Sequence, residues 1–148
     1  MLGGKYNLPH AQTHATVLPY VLAFNGPAAP DAEQRIAAAL SSTGFGTAGP
    51  VDPDDTVDPD GTVDPDGTAD PYGAGRPARA LDGLLALKEE LDAPRALADY
   101  GFTEDSIAEA ADAILPSVPP SNPRPVTAAD LRALLRAAWS GADPRIAF

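Results

Sequence analysis

The sequence predicts an all-α fold of about five helices that carries a disordered acidic loop, and three observations lead there. Alanine and leucine dominate a hydrophobic content of 44%, in which aromatics reach only 6%, the balance expected of helices rather than strands. Apolar residues recur three and four positions apart in separate stretches along the chain, the period of a helix buried on one face. Between the second and third of these stretches lies a tract of Asp-Pro repeats, which can join neither a helix nor a sheet. The length of 148 residues fits one ordinary domain.

The first helix is expected over Asn7 to Asn25, with Asn7 as cap, Pro9 in the first turn and Val17, Leu18, Val21 and Leu22 as apolar positions. Pro19 removes one ladder bond and crowds the carbonyl four residues back, so a bend is expected there. Pro30 and Asp31 open a second helix through about Leu40, with Ile36 and Leu40 one turn apart, before Gly44, Gly46 and Gly49 end regular structure. Leucines at 81, 84, 85, 87 and 91 mark a third helix that Pro94 closes. Thr103 is expected to cap a fourth, with Ile107, Ala110, Ala111 and Ile114 on one stripe. Thr127 and Asp130 form a capping-box pattern ahead of the last helix. There Leu131, Leu134, Leu135, Ala138 and Trp139 make the clearest amphipathic face in the chain, and Gly141 stops it.

Residues 51–74 read VDPDDT VDPDGT VDPDGT ADPYGA, four copies of a six-residue unit whose second and third positions are always Asp-Pro. Each proline blocks regular structure, each aspartate repels the next, and only valine offers apolar surface, so ordering has little to offset its entropy cost. A disordered insertion over 47–75 is therefore expected, and the slow growth of loop-closure entropy lets a domain carry it.

That tract also explains the formal net charge of −11. Eight of the 21 acidic residues lie between Val51 and Asp70, and the other 13 face 10 basic ones, leaving about −3, an ordinary solubilising charge. Nucleic acid is not the expected partner. With no cysteine, disulfides, thiolate catalysis and thiolate-ligated zinc are excluded. The first residues lack the apolar run of a signal peptide, and no stretch approaches the roughly 18 apolar residues of a membrane span, so the cytoplasm is the expected compartment.

Chemistry has few carriers. The two histidines, His10 and His14, are four apart and share one helical face, with side-chain origins roughly 5–6 Å from each other. That spacing suits a shared ion or substrate. Zinc proteases also place two histidines four apart, but they need a glutamate directly after the first, where this chain has Ala11. A complete metal site needs three or four ligands. Taken alone, the pair reads most simply as polar surface.

The surrounding residues change that balance. Leu2-Gly3-Gly4, Leu8-Pro9-His10-Ala11, Thr13-His14-Ala15 and Val17-Leu18-Pro19-Tyr20-Val21-Leu22-Ala23-Phe24-Asn25 together resemble one contiguous block of the maleylacetate reductases, within the iron-containing alcohol dehydrogenase superfamily. Asn122-Pro123-Arg124-Pro125-Val126-Thr127, followed by a leucine-rich helix with Ala138-Trp139, resembles that family's C-terminal signature. The resemblance covers nearly the whole chain except the repeat.

It implies that residues 1–148 are a helical dehydrogenase-like C-terminal domain whose nucleotide-binding partner domain is absent. It also implies an upstream His-His-Lys-x-x-His-like stretch, so a truncated gene product or a misplaced start is expected. By resemblance the reaction is reduction of maleylacetate to 3-oxoadipate in aromatic-compound breakdown, with NADH or NADPH bound through the missing domain. The isolated chain is expected to be inactive. His10 matches the histidine that ligates the metal, Fe or Zn, in metal-dependent members; His14 is assigned to a substrate carboxylate. Homodimers are common among the relatives.

Two other readings compete. The chain could derive from an iron-containing alcohol dehydrogenase of another substrate. Alternatively, the Asp-Pro-Asp-Gly repeats could make a non-catalytic calcium-binding or interaction protein, although their glycine and missing glutamate do not follow an EF-hand loop. Apolar stripes built for a partner domain also predict marginal stability or self-association of the isolated chain.

Overall fold

The computed structural model describes residues 2–42 and 79–148. The Asp-Pro repeat and the disorder expected over 47–75 lie outside the described residues.

Among the described residues the regular structure is helical throughout, with α1 (Leu2–Lys5), α2 (His10–Asn25), α3 (Pro30–Ser42), α4 (Ala80–Glu90), α5 (Ser106–Ile114) and α6 (Ala128–Ser140). Short 3₁₀ turns at Gly26–Ala28, Leu97–Tyr100, Leu115–Ser117 and Pro144–Ile146 join or end them. The sequence anticipates five of the six; α1 is a single turn too short to show periodicity.

The α6 boundaries follow their local chemistry. The Asp130 N–H donates to the Thr127 hydroxyl at 3.2 Å, while the Thr127 N–H donates to the Asp130 carboxylate at 2.9 Å, which closes the capping box. At the other end Gly141 takes φ 70, a left-handed turn that costs glycine nothing. Helix α4 ends before Pro94 because Asp92 adopts φ 47 and the Ala93 N–H returns to the Lys88 carbonyl at 2.8 Å, closing the last turn.

Two expected caps differ. Asn7 does not cap α2: it sits at φ 52, outside the helix, and Pro9 occupies the position before His10. Asparagine tolerates that left-handed turn, and Pro9 disfavours helix at Leu8, so the chain reverses from α1 into α2. Thr103 lies one turn ahead of α5, where its carbonyl accepts the Ser106 N–H at 3.1 Å, and Asp105 precedes the helix without a side-chain cap bond.

The core draws on both ends of the chain. Leu2, Leu8, Tyr20 and Phe24 pack with Leu97, Phe102, Ile107, Ala110, Ala111, Leu131, Leu134, Leu135 and Ala138, each large apolar side chain contributing roughly 1.5–3 kcal/mol. Polar ties fix the register. The Trp139 indole donates to the Phe102 carbonyl at 3.0 Å, and the Tyr20 hydroxyl donates to the Ala142 carbonyl at 2.8 Å. Asn25 and Asn122 exchange amide hydrogen bonds of 3.2 and 3.0 Å. The Arg124 guanidinium lies 3.9 Å from the centre of the Phe24 ring and donates to the Phe24 carbonyl at 3.2 Å. The Asn-Pro-Arg-Pro segment is thus a clamp on the end of α2.

Helix α2 continues through Pro19 to Asn25, and its orientation departs from its apolar pattern. The residues it buries are Thr13, Thr16, Pro19, Tyr20 and Phe24. Leu18 and Val21 are exposed, at 51% and 37%.

Candidate functional site

Helix α2 can turn threonines toward the core because of where they put their hydroxyls. Thr13 donates to the Pro9 carbonyl at 2.7 Å and Thr16 to the Gln12 carbonyl at 2.8 Å. Each hydroxyl is satisfied by the helix itself, so burying it carries little desolvation penalty. Threonine can then face the core, and the adjoining stripe, which starts with His10 and His14, is exposed.

The two imidazoles are adjacent, with ring centres 4.5 Å apart and planes inclined by 58°. Both residues are exposed. They border a cavity of about 290 Å³ whose walls include Leu2 and Gly3 of α1, Thr13 and Val17 of α2, Ile114 at the end of α5 and Ser117 of the 3₁₀ turn that follows it. Gly3 matters because a Cβ there would stand 3.3 Å from the Leu8 carbonyl oxygen and 3.7 Å from Nδ1 of His10, so its bare backbone lets α1 close over the start of α2. The sequence places His10 and His14 together, and the structure does so. It gives no hint of Ile114 and Ser117, which reach the cavity only through the docking of α5.

A second cavity, about 300 Å³, lies between α4, Tyr20 and the turn after α6. Its charged lining is largely internally paired: Arg145 meets Asp82 at 2.8 Å and Asp143 at 3.4 Å. Burial, and then the nearby Arg95, holds the Lys88 amine below its ordinary value. Burial, and then Asp143, pushes the Tyr20 phenol up. Neither histidine borders this cavity.

Imidazole nitrogen suits iron, zinc, copper or nickel, so the donor type at His10 fits the metal that the sequence resemblance implies. Among the described residues no group of three or more His, Cys, Asp or Glu side chains gathers at one point. They therefore supply part of a coordination sphere. No helix of the described residues is long and apolar enough to cross a membrane.

Similar proteins share this arrangement of helices. Residues 1–58 match the C-terminal domain model of the Fe-containing alcohol dehydrogenase family. The maleylacetate reductase of Sphingobium indicum is 34% identical over 143 residues, which are 97% of this chain and 30% of that protein. The structure of an iron-containing alcohol dehydrogenase from Corynebacterium glutamicum superposes with a TM-score of 0.72 at 44% identity, over 99% of this chain and 32% of that one. Maleylacetate reductase from a Rhizobium strain gives 0.64 at 30% identity, over 95% and 30%. The chain thus spans about a third or less of the length of these relatives. Family match over residues 1–58, sequence likeness and fold agree: the chain matches the C-terminal helical domain of the Fe-containing alcohol dehydrogenase family.

Proposed function

We propose that this domain forms the helical wall of a cytoplasmic NADH- or NADPH-dependent reductase that converts maleylacetate to 3-oxoadipate. The observation that carries the reading is the adjacency of His10 and His14 at one cavity, within a chain similar over 97% of its length to a maleylacetate reductase. The nicotinamide cofactor supplies a hydride to one carbon of the double bond. His14, as imidazolium, pairs with a substrate carboxylate and delivers a proton to the other carbon. His10 is the residue that would hold an iron or zinc ion, whose positive charge would polarise a substrate oxygen. The walls formed by Leu2, Val17 and Ile114 shield the reacting carbons from water.

The nucleotide site belongs to sequence other than these 148 residues, which on their own are not expected to turn over. The test joins the chain to the nucleotide-binding segment translated in frame upstream and follows maleylacetate-dependent oxidation of NADH and NADPH. Activity that falls at least a hundredfold in both His10→Ala and His14→Ala supports the reading, because acid–base groups contribute about 10²–10⁴ in rate. Full activity in the double variant, or an upstream frame without a nucleotide-binding domain, would sink it.

The 44% identity to the Corynebacterium glutamicum iron-containing alcohol dehydrogenase supports a second reading, oxidation of an alcohol at the same cavity. Alcohol-dependent reduction of NAD without maleylacetate reduction would select it.

A further inference from the structure

We propose that the cavity of about 300 Å³ between α4, Tyr20 and the turn after α6 binds a small organic carboxylate, whose charged end is held by Lys88 and Arg95. The polar groups around this cavity divide into those that are matched and those that are not. Arg145 is taken up by Asp82 at 2.8 Å and Asp143 at 3.4 Å, and the Tyr20 hydroxyl by the Ala142 carbonyl at 2.8 Å. Arg95 meets Glu89 only loosely, at 3.9 Å, with both side chains 79% exposed. Asp92 is exposed at the rim, where water and salt screen its charge. Lys88 is half-buried, and its ammonium has no hydrogen-bond or ion-pair partner among the described residues.

An ammonium partly withdrawn from water and set near a like charge is costly to keep without a counter-ion. A carboxylate between Lys88 and Arg95 offsets both penalties through charge-assisted hydrogen bonds. The walls decide which kind of anion fits. Pro19, Leu85, Ala86 and Ala93 line the same cavity, and Leu85 and Lys88, three apart on α4, share one helical face. Apolar surface and amine therefore stand side by side, the usual composition of a small-molecule site. An acid with an apolar body uses both, whereas an inorganic anion uses only the charged end. The volume is at the lower limit of such sites, roughly 300–1,000 Å³, which restricts the ligand to a small acid. Neither histidine borders this cavity, so the inference does not rest on the reductase reading and either can fail alone.

The experiment is calorimetric titration of the 148-residue chain with benzoate as probe, at constant ionic strength, with inorganic phosphate as the comparison anion. Saturable binding of one benzoate per chain is expected, tighter than that of phosphate. Lys88→Gln should weaken benzoate binding roughly tenfold or more, the loss of one hydrogen bond between charged groups. Arg95→Gln should weaken it less, because that guanidinium is exposed. His14→Ala should leave the affinity unchanged, which separates this cavity from the histidine one. Glutamine keeps a helix propensity close to that of lysine, so helix content by circular dichroism should match in Lys88→Gln. Burial, and then Arg95, hold the Lys88 amine below its ordinary value, and bound benzoate should bring it back up in an NMR titration, since an adjacent anion favours the charged form. No saturable benzoate binding, wild-type affinity in Lys88→Gln, phosphate bound as tightly as benzoate, or lost affinity in His14→Ala would each overturn the proposal.

Discussion

Helices α2 and α6 pack against the same core and do so by opposite rules. Helix α6 buries what its leucine spacing says it should, Leu131, Leu134, Leu135 and Ala138. Helix α2 turns Leu18 and Val21 outward and buries two threonines beside Tyr20 and Phe24. A helix whose only task is to close a core can be read from its apolar stripe. Helix α2 has a second face to present, and it meets the core with side chains whose polar atoms are satisfied at home or across the fold.

The largest expected effect tests the ordinary side of this contrast. Leu135 is 2% exposed, and Leu135→Ala should cost about 2–5 kcal/mol in urea unfolding. A loss below about 1 kcal/mol would mean that α6 is not the central support described. Next is Tyr20→Phe, which removes the tie from α2 to the Ala142 carbonyl and should cost about 1 kcal/mol by the same measurement.

Leu18→Gln should change stability by less than about 0.5 kcal/mol, while reducing self-association in sedimentation if the outward stripe of α2 is the sticky face. A larger loss would put Leu18 in the core and erase the contrast. The smallest effect belongs to the α6 cap. The Thr127 hydroxyl, and then its backbone N–H, hold the Asp130 carboxyl below its ordinary 3.8. A depressed carboxyl stabilises the fold above its unfolded value, and that contribution is lost as pH falls through the folded value. Asp130→Asn should therefore flatten the fall of Tm below about pH 3.8, and an unchanged acid limb would show the cap to be silent.

Legibility in the sequence tracks how local each cause is. The α6 capping box, its glycine stop and its stripe are written within 15 residues, and all appear. The His10–His14 pairing is equally local, fixed by one helical turn. The orientation of α2 is not, because apolar residues occupy both of its faces and only its tertiary packing against α4, α6 and the turns beside them decides which is buried. The caps at Asn7 and Thr103 go astray for a related reason: both residues have turn chemistry of their own, at φ 52 and in the turn before α5. Ile114 and Ser117 reach the histidine cavity through tertiary packing, which no short-range pattern encodes.

The ties between Tyr20 and Ala142, Asn25 and Asn122, and Phe24 and Arg124 all join residues on opposite sides of positions 43–78. Chain continuity there is consequently not what unites the two sides. A single proteolytic nick within 43–78 should leave a noncovalent pair that migrates as one species in native gels and separates only in denaturant. The same property makes the domain a candidate for splitting into two complementing fragments, each completing the other's core.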